Sequence, residues 1–416
     1  MGPRAKVAVY EPNVPMQNAG GPRGYLWQLV EGLKDVGSDG IEFLFESQAG
    51  IRQPNGLTEQ ASKLKALSPA LWRLGKTFLA ERLRKEWMEI YFKDLDKYYL
   101  PERAEQRLKE GNFDVLHCHT TLHALMGHNS LTRLGLRSKT VLVLTSHSPE
   151  KPAVERAAVI MGYGLAPFLL PRLKVRLDAI DTRGVEVVDH LVFPCEHSRK
   201  IYETFWPEFE TLVGQKPVSY LMTGIVDIGE LPDFDLDLGR TGQRPLICYA
   251  GRHNRVKGYD LLIDAALPLA SRGDVAVVVA GGAGPIPAPE HPNWIEVGWT
   301  NKVHSLIKKS DVFILPNRNT YFDLVAIEAM ALGRPIIATD TGGNKTLAKL
   351  SEGVVLCEPT PESIRGKIEE VVGDRTRLAA LGAANRSAFL DYLTANKFAA
   401  SYKSVMTSIA ARGPRP

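Results

Sequence analysis

The stretch Asp311-Val312-Phe313-Ile314-Leu315-Pro316, a polar loop from Asn317 to Phe322, then Asp323-Leu324-Val325-Ala326-Ile327-Glu328-Ala329-Met330-Ala331-Leu332-Gly333-Arg334-Pro335 decides how this chain is read. Its opening run of four apolar residues, Val312 to Leu315, ahead of Pro316 predicts a strand buried on both faces, as in a parallel sheet. Asp323 stands at the N-cap position of the helix that follows, Gly333 is a natural stop just past its end, and Pro335 forbids continuation. A second apolar run, Pro335 to Thr339, begins at once, so the segment is a strand–helix–strand unit of an α/β sheet.

The same alternation runs outward in both directions. Apolar runs at Val7–Tyr10, Ile41–Phe45, Val115–His119, Thr140–Thr145, Leu191–Cys195 and Val218–Met222 fill the first half. Leu246–Ala250, Val275–Ala280, Trp294–Val297, Val312–Pro316, Pro335–Thr339 and Val354–Cys357 fill the second. Between the halves lies a polar stretch, Gly229 to Pro245, carrying Pro232, Gly239 and Gly242. Such a break predicts a linker between two Rossmann-like doubly wound domains facing a cleft. The division is 1–228 and 229–386, with a final helix in 387–416 crossing back to the first domain. A helical insert at about 68–110 carries Trp72, Leu79, Leu83, Trp87, Ile90 and Tyr91 among many Lys and Arg. It reads either as a helical pair covering the first sheet, or as a basic amphipathic surface for anionic lipid or a lipid-linked acceptor.

A chain of 416 residues suits two domains of ordinary size, and 44% hydrophobic with 24% charged residues is a soluble composition. A formal net charge of +4 does not demand nucleic-acid binding, and none is expected. No window offers the roughly 18 apolar residues of a membrane span. Cys118, Cys195, Cys248 and Cys357 stand singly inside apolar runs, which predicts reduced core thiols and a cytoplasmic protein, with the insert offering a peripheral contact at the inner face of the membrane.

The chemistry gathers at the carboxyl ends of the strands, where α/β sheets bind ligands. The free N–H groups of Leu324 and Val325, with the helix dipole, suit an anion such as a diphosphate. Glu328, one turn on, presents two carboxylate oxygens to the two hydroxyl donors of a ribose. Ala250-Gly251-Arg252 follows the first strand of the second half, and Lys257-Gly258-Tyr259-Asp260 opens the next helix. Arg252 and Lys257 are a fork and a point charge for diphosphate oxygens, or surface ion-pair partners. Gly342-Gly343-Asn344 lets backbone approach a phosphate. Gly20-Gly21-Pro22 does the same near the N-terminus, or makes an ordinary turn. His147 follows the strand Thr140–Thr145. His117, His119, His123 and His128 follow a strand and enter a helix, and no acidic partner converges to make a zinc site of them. Asp235-Leu236-Asp237 lies in the linker and is read as incidental.

Arg252…Lys257-Gly258, Pro316…Glu328-Ala329-Met330-Ala331-Leu332-Gly333-Arg334-Pro335 and Thr339-Asp340-Thr341-Gly342-Gly343 together resemble glycosyltransferase family 4, retaining enzymes of the GT-B fold. The likeness is dense over 246–357 and looser over the first half. It implies transfer of a sugar from a nucleoside-diphosphate donor to an acceptor hydroxyl, with retention and without a metal or other cofactor. Arg252 and Lys257 then hold the donor diphosphate and act catalytically with His147, which faces the donor sugar and acceptor. Glu328 is the second Glu of a Glu-x7-Glu motif and binds the ribose, and the loop at Gly20 and Gly21 lies against the reacting sugar. The first Glu of the motif should stand eight residues earlier, where this chain has Thr320, and Asp323 replaces a small residue. Both are expected to meet sugar hydroxyls. Trp299 and Thr300 are expected near the base, and Gly343 near phosphate. The acceptor is a glycan, a lipid-linked sugar or a small molecule, with a place in cell-envelope polysaccharide or glycoconjugate synthesis.

Two other readings compete. Loss of the first Glu fits a non-catalytic subunit that supports a partner transferase. Ala19-Gly20-Gly21-Pro22-Arg23-Gly24, with Glu42 beyond, approximates the fingerprint of an NAD-dependent oxidoreductase. That fingerprint should follow its strand immediately, whereas a long polar loop from Glu11 to Asn18 intervenes.

Overall fold

The computed structural model describes residues 5–13, 15–16, 21–45, 93–148, 150–162, 170–229, 231, 244–282 and 284–415. The linker region 232–243, with Asp235 and Asp237, and most of the helical insert lie outside the described residues, as does Gly20. The insert's described remainder is a short turn at Leu95–Lys97 and the helix Glu102–Gly111.

Among the described residues, twelve strands form where the apolar runs fall. The first half runs β1 (Val7–Glu11), α1 (Gly21–Val36), β2 (Ile41–Phe45), α2 (Glu102–Gly111), β3 (Val115–Cys118), α3 (Thr121–Arg133), β4 (Val141–Leu144), α4 (Pro152–Gly162), α5 (Leu170–Glu186), β5 (His190–Phe193), α6 (Glu196–Phe205), α7 (Phe209–Val213) and β6 (Val218–Tyr220). The second runs β7 (Leu246–Ala250), α8 (Tyr259–Arg272), β8 (Ala276–Ala280), β9 (Trp294–Gly298), α9 (Val303–Lys309), β10 (Val312–Leu315), α10 (Leu324–Ala331), β11 (Ile336–Thr339), α11 (Gly342–Leu350), β12 (Val354–Cys357), α12 (Pro361–Val372), α13 (Arg375–Tyr392) and α14 (Ala395–Ala410).

These strands make two six-stranded parallel sheets, ordered β2-β1-β3-β4-β5-β6 and β12-β11-β10-β7-β8-β9. Parallel pairing requires crossover helices on both faces, and the burial of β3, β4, β5 and β10 along their whole length is the result. Cys118, Cys195, Cys248 and Cys357 are all buried free thiols. Strand order reverses between β1 and β3 in the first sheet and between β7 and β10 in the second. Each reversal opens a crevice above the strand ends, and both crevices feed one cavity.

The halves meet along a buried aromatic seam. Phe193, Tyr202 and Phe209 of the first half pack with Tyr321 of the second. Ser198 Oγ donates to the Tyr321 carbonyl at 2.5 Å, and His197 Nδ1 lies 2.9 Å from Thr346 Oγ1.

The chain's return differs in detail from the single helix read from Ser387. α13 packs on α10, stops at Leu393, and α14 starts anew at Ala395 against α1. Leu393 and Thr394 run beside Ile225, whose N–H donates to the Leu393 carbonyl at 2.8 Å and whose carbonyl accepts from Ala395 N–H at 2.7 Å. A β-carbon on Gly224 would sit 2.3 Å from the Thr394 carbonyl oxygen, and one on Gly32 2.1 Å from that of Ala395, so glycine is required on both sides of the crossing.

Candidate active site

The cavity of about 790 Å³ lies between the two sets of strand ends. Its second-half wall is built by the loops after β7 and β10. Gly258 has φ +65°, and a β-carbon there would lie 1.7 Å from the Pro316 carbonyl oxygen. This close approach locks the β7 loop onto the β10 loop. Asn254 Oδ1 accepts from the Lys257 N–H at 2.9 Å, Arg318 pairs with Asp260, and the Tyr249 hydroxyl holds the Arg252 carbonyl at 3.0 Å. Lys257 is thereby set at the mouth of α10, and Arg252, 68% exposed along its side chain, reaches across the cleft to within 4.0 Å of Glu155.

Asp323 occupies the position before α10 in extended conformation, but its side chain makes no capping bond to the helix. It turns instead to Lys257 Nζ at 2.8 and 3.0 Å and to Asn317 Nδ2 at 2.6 Å. Burial pushes the Asp323 carboxyl up, yet the Lys257 charge and these hydrogen bonds outweigh it and hold the group below its ordinary range. The start of α10 is thus left without a side-chain cap, facing the cavity at Leu324 and Val325. Glu328 lines the cavity one turn further, and His304 Nε2 of α9 lies 3.3 Å from its Oε2. Burial disfavours the charged imidazole, but the Glu328 carboxylate overrides it and raises the His304 pKa.

The first-half wall begins at Gly21, which opens α1 with φ +62°. Behind it the imidazoles stack. His147 Nε2 lies 3.0 Å from His119 Nδ1, His119 packs on His117 at 4.3 Å, and His117 bonds Thr145 Oγ1 and the Tyr402 hydroxyl of α14 at 2.8 and 2.9 Å. Burial drives His117, His123 and His147 down to about 3 and His119 well below its usual range, so the cluster is neutral. His119 Nε2 is buried and has no hydrogen-bond partner. On α4, Arg156 faces the cavity while pairing with Asp181, a fully buried carboxylate that also accepts from Thr121 Oγ1 and Ala153 N–H at 2.5 Å.

Arg252, Lys257, Leu324, Val325, Glu328, Asp323, His147 and Gly21 all line one cavity. Four expectations need correction. Thr320 is 1% exposed and does not line the cavity: its carbonyl is packed against Gly342 of α11 and its hydroxyl lies behind Asp323. Gly343 likewise packs against the Tyr321 carbonyl and does not line the cavity, so a side chain is excluded there by packing. Trp299 is 81% exposed and outside the cavity lining, since the turn after β9 carries it into solvent. Asp323 is not a capping side chain. Glu42, the acid of the dinucleotide fingerprint, is held by Arg107 at 2.8 Å on the outer surface. His304, Arg156, Asp181 and Glu155 were not singled out from sequence. Each acts through a partner distant along the chain, and only the helical start at Val303 gave any local signal for His304.

Among the described residues, no helix is long and apolar enough to cross a membrane, and no group of three or more His, Cys, Asp or Glu is arranged to hold a metal ion.

Comparison with known proteins places this architecture. Residues 70–208 match the family described as Glycosyltransferase Family 4, and residues 244–374 match Glycosyl transferases group 1. A D-inositol 3-phosphate glycosyltransferase of Gordonia bronchialis is 26% identical over 370 residues, covering 78% of this chain and 75% of the relative. One from a Mycobacterium species (strain KMS) is 29% identical over 290 residues, covering 61% and 59%. Sucrose-phosphate synthase from Thermosynechococcus elongatus shares the fold with a TM-score of 0.63 at 18% identity, over 99% of this chain and 100% of that one. Anabaena HepE in complex with UDP and glucose does so with a TM-score of 0.59 at 13% identity, over 97% and 100%.

Two Rossmann-like sheets meeting across a cleft with a return crossing make this the GT-B fold. The chain belongs to glycosyltransferase family 4.

Proposed function

We propose that the enzyme takes its sugar from a nucleoside-diphosphate donor and passes it to an acceptor hydroxyl, releasing the nucleoside diphosphate. The observation that carries this reading is the convergence, at the β7/β10 reversal, of Arg252, Lys257 and the uncapped start of α10, with Glu328 one turn along. Donor phosphates fit between the two cations and the Leu324 and Val325 N–H groups, where developing negative charge on the leaving oxygen is stabilised in place. Glu328 accepts the ribose hydroxyls through the oxygen not turned to His304. His147 stands on the opposite wall, where the sugar and acceptor meet. The diphosphate is held by protein cations, so turnover persists in EDTA.

The configuration is retained in this reading: the acceptor attacks the face the diphosphate leaves, and a leaving phosphate oxygen takes the acceptor proton. An inverted anomer in the product excludes it. The curated relatives are named for a phosphorylated cyclitol, and Arg156 on the first-half wall, its charge balanced by Asp181, presents guanidinium donors to an acceptor of that chemistry, a hydroxylated small molecule bearing an anionic group.

The test is release of nucleoside diphosphate by the purified chain. Lys257→Ala and Glu328→Ala each lower kcat/KM, the first by about 10²-fold or more as for loss of a donor to a transition-state anion. Donor binding without turnover with any acceptor would instead make the chain a binding subunit for a partner transferase.

A further inference from the structure

The donor end of the cavity contains a carboxylate where only cations are needed. Asp323 lines the cavity beside Leu324 and Val325, and its side chain is 18% exposed. Both of its oxygens are turned to Lys257 Nζ, and one also accepts from Asn317. In this state Lys257 is neutralised by the protein itself. A diphosphate entering here brings its own negative charge to within reach of the same ammonium, and the carboxylate opposes it. Thr320, the other polar side chain of this loop expected to face the sugar, is 1% exposed and does not line the cavity; its hydroxyl lies behind the Asp323 carboxylate, which it helps to hold ionised. Asp323 is therefore the carboxylate of this loop that reaches the cavity surface, next to Lys257 and the start of α10.

We infer that Asp323 is a specificity-determining residue that exchanges partners on donor binding: the diphosphate takes Lys257, and the freed carboxylate accepts hydroxyl or ammonium donors of the transferred sugar. An ionised carboxylate has no proton to donate, so it selects donor groups on the sugar and rejects acceptor-only or acidic substituents at that position. A bare nucleoside diphosphate takes Lys257 but gives Asp323 nothing in return. The site thus discriminates the loaded donor from the spent nucleotide, which favours product release. The inference rests on the nucleoside-diphosphate reading proposed above.

The experiment compares dissociation constants of the full chain and Asp323→Asn for one nucleoside diphosphate and for the corresponding nucleotide sugar, by calorimetry, with the base fixed by a prior panel. Wild type is expected to bind the nucleotide sugar more tightly than the bare diphosphate. Asp323→Asn is expected to bind the bare diphosphate about tenfold more tightly than wild type, because the opposing charge is gone. The preference for the sugar-bearing ligand should collapse in the same variant. Melting of the unliganded variant, and the Asp323→Gly variant, report whether the α10 start stays folded. If Asp323→Asn weakens both ligands equally, or leaves their ratio unchanged, Asp323 merely positions Lys257 and the inference is wrong. If wild type binds neither ligand while remaining folded, the donor reading fails and takes this inference with it.

Discussion

Glu328 and His304 show how a single contact in this site can be tested by pH. His304 has its pKa raised in the folded protein because the attraction of Glu328 outweighs burial. A base with a raised folded pKa contributes stability that is complete below its unfolded value, about 6.5, and is lost as pH rises through the folded value. The melting temperature of wild type should therefore exceed that of His304→Gln at pH 5.5 by more than it does at pH 8.5. A difference that is the same at both pH values would show that the pair carries no charge. Lys257 and Glu328 were legible in the sequence because each stands at a readable landmark, one just after a strand and the other one turn into a helix with a marked start. Their partners were not. Asp323 reads as a cap from its position alone, and only the fold brings Lys257, 66 residues away, within 2.8 Å. Thr320 was misplaced for the same reason: the loop Asn317–Phe322 has no period that tells which side chains face inward.

Among elements, the strands were the plainest, since doubly buried parallel strands are near-continuous apolar runs and need no alternation to be seen. The break at Leu393–Thr394 was hidden because both flanking segments have helical periodicity and Thr394 is an N-cap that sequence alone does not distinguish from a surface threonine. The β7 loop rests on Gly258, whose left-handed backbone and contact with Pro316 admit no side chain. Gly258→Ala should destabilise the protein by about 2 kcal/mol or more. It should also weaken nucleotide binding, because Lys257 is its neighbour. Denaturant titration together with a binding assay checks this, and unchanged stability would mean that the loop is not fixed by that contact. Gly224→Ala, against the Thr394 carbonyl at 2.3 Å, should likewise lower the melting temperature, through the crossing rather than the site.

At the scale of the whole molecule, the buried imidazoles join the cavity wall to the helix that returns from the second half, through His147, His119, His117 and Tyr402. Their folded pKa values lie far below the 6.5 of an unfolded histidine, so the unfolded chain binds more protons over the range from about 6.5 down to 3. Stability falls as pH falls through that window, each such histidine costing about 2 kcal/mol at pH 5 if it titrates alone. The melting temperature should therefore drop steeply between pH 7 and pH 5, and a flat profile would contradict the neutral cluster.

The two sheets, their reversals and the seam at Tyr321 bring residues 21, 147, 252, 257 and 328 to one cavity, and the proposed nucleoside-diphosphate sugar donor rests on this convergence. The most direct measurement is thermal stabilisation of the purified chain across UDP, GDP, dTDP, CDP and ADP sugars, since a ligand bound only by the folded state raises the melting temperature by mass action. One base should stabilise selectively, and the shift should vanish in Lys257→Ala and Glu328→Ala. If none of the five shifts the wild type, or if the shift survives both substitutions, the assignment of this cavity to a nucleotide sugar is wrong.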